Sequence, residues 1–154
     1  PSNSRLRYQL IENEEILLIA ARSTQLARRI PNGTPLHIAQ AKEERFISLA
    51  VGHSIRTVQD RLFLLSGIQP EILLESHNFE ACRRLTLALG AVMLCPDAYV
   101  SRVPDLDLSE KLNAYPLLDG DMMRHFYLCC RRDMHFTRYM EDFLLILRQE
   151  LAQS

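Results

Sequence analysis

Residues 45–67 read RFISLAVGHSIRTVQDRLFLLSG, and this stretch decides the fold. Arg45 to Val51 is a short apolar run of strand length, closed by a turn signal at Gly52-His53. Ser54 is a residue type that caps helices, because its side-chain oxygen can accept an orphan N–H of the first turn. Ile55, Val58, Leu62 and Leu65 then recur at helical spacing as far as Ser66-Gly67, where glycine suits the C-terminal cap. A strand that gives way to a helix across two residues is the first half of a βαβ unit.

Working outward toward the C-terminus, Pro70 to Glu75 reads as the next strand, and Ser76 or Asn78 caps a helix whose stripe is Cys82, Leu85 and Leu89. Gly90 ends that helix, and Ala91 to Cys95 is a third strand stopped by Pro96. Right-handed crossovers place strand 46–51 between 70–75 and 91–95, with 70–75 at or near an edge. The pattern predicts an α/β fold: a Rossmann-like, mainly parallel sheet with helices on both faces. Toward the N-terminus, Ser4 to Ala21 is a strand, whole or broken around 12–15. Ser23 or Thr24 caps a helix over Gln25 to Ile30, and Thr34-Pro35 opens a short helix over Leu36 to Gln40. Further on come one helical turn at Asp97 to Val100, a linker-like stretch from Ser101 to Lys111, and strands at 112–118 and 126–131. An amphipathic helix over 136–151 closes the chain, with Phe136, Met140, Phe143 or Leu144, Leu147 and Leu151 on its stripe.

The 154 residues are 47% hydrophobic and 24% charged with a formal net charge of −1, enough for one self-sufficient core and not the charge of a nucleic-acid-coating surface. The longest apolar run, Ile16 to Ala21, is strand-sized, so neither a membrane span nor a signal peptide is expected. Cys82, Cys95, Cys129 and Cys130 form no C-x-x-C and no zinc spacing, and read as buried free thiols. No phosphate-loop or dinucleotide fingerprint occurs, so no cofactor and no metal are expected. Sixteen arginines stand against two lysines, a bias to which no function attaches.

In open parallel sheets, ligands bind beyond the carboxyl ends of the strands, where helix N-termini present free N–H groups to anions. Two turns qualify. Val51-Gly52-His53-Ser54 offers a sharp backbone bend, a hydroxyl and a first helical turn; Ser76-His77-Asn78 offers much the same. For both, the plain alternative is that these residues end a strand and cap a helix, and the sequence leaves both readings open. A nucleophile elbow would need glycine where Arg56 stands, which argues against a serine hydrolase. The acids at Glu12, Glu14, Glu15, Glu43 and Glu44 read as solvated faces. Phe63 and Leu64 extend the apolar surface of helix 54–66 beyond one stripe. With Ile72 and Leu74 on the adjacent edge strand they make a candidate dimer surface, unless segments 24–40 of the same chain cover them.

The order of several short stretches then resembles a known family. Glu14-Glu15-Ile16-Leu17-Leu18-Ile19 precedes Leu26-Ala27 and Phe46-Ile47; SIRTVQDRLF (54–63) is followed by GIQPEI (67–72); then come Ser76 to Ala81, VMLCP (92–96), YPLLD (115–119) and YLCCRRD (127–133). Together they resemble the C-terminal effector-binding region of LysR-type transcriptional regulators, from about Tyr8 to Leu151. Where that family shows two glycines spaced by one residue before the strand ending in proline, this chain has only Gly90, which leaves the turn before Ala91 open.

The resemblance implies a lobe similar to those of periplasmic binding proteins. Residues 1–21 would be a crossover strand from a first lobe, 22–119 the second, effector-binding lobe, and 120–154 the return strand and closing helix. It implies a small effector held at Val51 to Ser54, with positions near Tyr8 and Phe126 secondary. It also implies a homo-oligomer, and DNA contacted only through a winged helix-turn-helix outside this chain. The expected role is ligand sensing in a cytoplasmic regulator, not catalysis and not at a membrane; the alternative is the solute-binding lobe of a transport-type binding protein. With most of the first lobe absent, the closing helix needs another cover, so self-association is expected.

Overall fold

A computed structural model describes residues 4–101 and 110–152; most of the linker-like stretch 101–111 therefore lies outside the described residues. Six strands form one mixed sheet: β1 (Leu6–Ala21), β2 (Phe46–Leu49), β3 (Ile72–Ser76), β4 (Val92–Pro96), β5 (Leu112–Pro116) and β6 (Met123–Arg131). The order is β3-β2-β4-β1-β5, with β6 on β1. β2 runs parallel to both β3 and β4, and its place between them is the one that right-handed crossovers require. β1 runs antiparallel to β4 and β5, so the sheet is mixed rather than purely parallel. The helices are α1 (Gln25–Arg29), α2 (Ser54–Ser66), α3 (Phe79–Ala88), α4 (Ala98–Ser101) and α5 (Arg138–Ala152), with a 3₁₀ turn at Ile38–Ala41. Among the described residues no helix is long and apolar enough to cross a membrane.

Two compact units are distinguishable, residues 15–122 and residues 1–14 with 123–154. In the first, Ile16, Leu18, Ile19, Leu26, Phe46, Ile47, Leu94 and Tyr115 are fully buried. Phe46 and Ser48, two apart on β2, both face α2: Phe46 meets Phe63 edge-on at 4.9 Å, and Ser48 Oγ accepts from Gln59 Nε2 at 2.7 Å. The intervening Ile47 and Leu49 are turned to the other face. In the second unit, β1 and β6 form a ribbon, tied by the Arg132 N–H donating to the Arg5 carbonyl at 3.0 Å and by Arg124 paired with Glu14 at 3.5 Å. There Phe136, Met140, Leu144 and Leu147 are half-buried, whereas Tyr139, Phe143, Leu145 and Ile146 stand exposed on α5. Leu128, Met134, Met140 and Phe143 are among the residues lining a groove of about 310 Å³.

Several expectations need correction. The strand left open as whole or broken is whole: β1 runs unbroken from Leu6 to Ala21. The helix expected over 36–40 is a 3₁₀ turn at 38–41, because Leu36 is spent on a parallel bridge to Leu117; its N–H donates to the Pro116 carbonyl at 3.0 Å. The buried residues of α2 are Ile55, Gln59 and Leu62, and those of α3 are Cys82, Arg83 and Thr86, while Leu65 and Leu89 face solvent. The cause is satisfied polarity: Gln59 donates to Ser48, and the Thr86 hydroxyl donates to the Cys82 carbonyl at 2.9 Å, so polar side chains sit where apolar ones were expected. Glu44 is buried, not solvated, and accepts the Leu26 N–H at 2.5 Å; Glu14 is half-buried against Arg124. All four cysteines are free, but Cys129 is exposed and Cys130 half-buried, because β6 alternates between faces and neither face is deeply covered. Gly90 supplies the turn before Ala91 alone, with φ +60°.

Candidate functional site

The C-terminal ends of the parallel strands β2, β3 and β4 share one rim of the sheet, and both candidate turns lie there side by side. The Ala50 N–H donates to the Ser76 carbonyl at 3.0 Å, joining the turn 50–54 to the turn 76–78. Val51 is 74% exposed at the tip. Gly52 holds φ +97°, a conformation that costs an L residue energy and leaves no side chain over the bend.

The cap of α2 is His53, not Ser54. The His53 Nδ1 accepts the Ile55 N–H at 3.3 Å, and its carbonyl accepts the Thr57 N–H at 3.1 Å. Ser54 is the first helical residue and stays exposed. On the neighbouring turn the cap is Asn78, whose Oδ1 accepts the Ala81 N–H at 3.0 Å; Ser76 Oγ in turn accepts the Asn78 N–H at 3.1 Å, and His77 is exposed.

The two helix starts differ in charge. The first turn of α3 already holds Glu80, paired with Arg83 and Arg84. The first turn of α2 holds no acid, and among the described residues the N–H groups of Ser54 and Arg56 meet no acceptor. The first turn of α2 thus carries no acid of its own at the positive end of the helix dipole.

Sequence reasoning missed Arg56, which fixes this geometry. Its Nε donates to Asp60 at 2.7 Å, and its Nη1 donates to Glu75 at 2.6 Å and to the Leu49 carbonyl at 3.2 Å. The side chain is only 13% exposed. The Asp60 and Glu75 carboxylates push its pKa up against the opposing cost of burial, so it remains a cation bound by the protein's own acids. One residue therefore clamps the start of α2 to the ends of β2 and β3. The Arg56–Asp60 spacing was visible in the sequence, but such a pair reads as a solvated one. Among the described residues no group of three or more His, Cys, Asp or Glu side chains could hold a metal.

A model of the LysR substrate binding domain matches residues 1–152. No curated protein matches the sequence. Among solved structures, the CcmR regulatory domain of Synechocystis PCC6803, in complex with 2-PG, superposes with a TM-score of 0.75 at 18% identity, over 98% of this chain and 70% of that one. The BenM effector binding domain with benzoate gives 0.69 at 20% identity, over 99% and 66%. The QuiR effector binding domain with shikimate gives 0.69 at 14% identity, over 97% and 66%. Full-length CbnR and BenM are about twice the length that this chain covers. At these identities the likeness shows the fold, the lobe architecture similar to periplasmic binding proteins.

Proposed function

The chain belongs to the LysR substrate binding domain family, and on that premise we propose that residues 22–119 are a lobe that binds a small anionic metabolite and passes the event to a DNA-bound regulator. The observation that carries this reading is the acid-free first turn of α2, at the rim where the turns 50–54 and 76–78 meet. Val51, Gly52, His53 and Ser54 form the anion cradle, with Ser76, His77 and Asn78 as its neighbours. The role is binding, not catalysis. The mechanism is a population shift: an anion that binds one lobe arrangement better than another stabilises it by that difference in affinity. The regulator works in the cytoplasm as a homo-oligomer and meets DNA through a winged helix-turn-helix outside this chain. Leu64, 81% exposed, and Leu74 on the edge strand form the apolar contact between copies, over Phe63 and Ile72, which pack partly on the core.

Neighbours solved with benzoate and shikimate make small carboxylates the first ligands to try. The decisive variant is Ser54→Asp. An acid at the first helical position favours the dipole and keeps α2 intact, but it places a negative charge where the anion would sit. Small carboxylates are expected to raise the melting temperature of the wild type and to leave that of Ser54→Asp unmoved. Equal shifts in both proteins would overturn the reading.

A further inference from the structure

The rim carries a second built feature beside the anion cradle. Tyr99, on α4 just past the end of β4, has its ring 4.3 Å from that of Phe79, tilted by 42°. Phe79 is the first residue of α3, directly after the Asn78 cap. Because the turn 76–78 is bonded to the turn 50–54, an unbroken series of contacts leads from the cradle to the Tyr99 ring. Phe79 packs against the core, whereas Tyr99 remains 41% exposed.

The position of Tyr99 is fixed by polar groups on both sides. The Arg83 guanidinium, 4% exposed, donates through Nη1 to the Tyr99 carbonyl at 3.0 Å and through Nε to Glu80 at 3.0 Å. At the start of α4, Asp97 Oδ1 accepts the N–H groups of Ala98 at 2.8 Å and Glu15 at 3.2 Å. Arginine is almost never buried without a partner. Here a buried one holds the backbone of a residue whose aromatic ring is left at the open rim.

We propose that Tyr99, backed by Phe79 and held in place by Arg83, is the stacking shelf that selects the body of the ligand whose anionic end is taken by α2. This rests on the anion-binding reading above and deepens it. A flat π-system gains from offset or edge-on contact with an aromatic ring, and a puckered saturated ring of the same size lacks that quadrupolar match. The shelf therefore favours flat, unsaturated or aromatic carboxylates. Tyr99 is the specificity-determining residue, and Arg83 is a positioning residue.

The test titrates the full chain, ¹⁵N-labelled, with benzoate and with cyclohexanecarboxylate, following amide shifts. Wild type is expected to bind benzoate about three- to tenfold more tightly. Tyr99→Ala should bring the two affinities to within about twofold of each other by weakening benzoate alone, and Tyr99→Phe should keep the preference. If both acids bind, Ser54→Asp abolishes both, and Tyr99→Ala leaves the preference intact, the shelf is overturned while the anion cradle stands. If Tyr99→Ala removes the preference but Ser54→Asp changes nothing, Tyr99 touches the ligand but the cradle is overturned, and with it the shelf as the companion of an anion held by α2. If neither acid binds the wild type, both are overturned.

Discussion

At the scale of single residues, the chain places its polar groups where they answer a local need that hydropathy does not register. Glu44 looks like its neighbour Glu43, yet one is buried because the Leu26 N–H requires an acceptor beneath α1, and the other is solvated. His53 takes the cap that Ser54 was expected to hold, because a ring nitrogen two residues before Ile55 reaches its N–H. The residue types at the rim were thus legible, and the division of labour among them was not. Cys82 gives a prediction at this scale. It is fully buried, and burial pushes its thiol pKa up, with a backbone hydrogen bond at Ser76 opposing this more weakly. A raised pKa in the folded state means that the fold favours the neutral thiol, so the associated stability is complete below the ordinary thiol value and declines as pH rises toward the raised one. The urea midpoint is expected to fall more between pH 7 and pH 10 in the wild type than in Cys82→Ala. In the native protein near neutral pH, iodoacetamide should label exposed Cys129 first and spare Cys82, which mass spectrometry of the digests reads directly.

At the scale of elements, the strand-helix-strand rhythm from Phe46 to Pro96 was readable because it rests on turn residues and on crossover handedness, both local or general rules. The helix faces were less readable. α2 and α3 bury Gln59 and Arg83, and their partners Ser48 and Tyr99 lie on other elements, where the periodicity of one helix does not reach. The antiparallel entry of β1 was also invisible, since nothing local fixes the direction of a strand whose partners are distant. Caps are the part of an element that can be tested singly. Asn78→Ala removes the acceptor for the Ala81 N–H and is expected to cost about 1 kcal/mol, with Asn78→Ser costing much less. Chemical denaturation of the two variants checks it; equal stabilities would mean that Ser76 and water suffice to hold the start of α3.

At the scale of the whole molecule, α5 exposes Tyr139, Phe143, Leu145 and Ile146, more apolar surface than a helix of a finished monomer usually shows. The isolated chain is expected to self-associate, with a sedimentation coefficient that rises with concentration, and Phe143→Glu with Ile146→Glu should return it to a single slow species. A wild type that sediments as a monomer throughout would contradict this. The sheet order has a different consequence, for the order of events during synthesis. The apolar run Ile16 to Ala21 is made early, but its hydrogen-bonding partners, Val92 to Pro96 and Leu112 to Pro116, follow roughly 70 to 100 residues later, a separation that slows closure. At about 5–20 residues per second the nascent segment waits several seconds with both of its edges unmatched. The centre of this sheet is therefore a seam sewn late, and it is there that a chaperone would find a long opportunity.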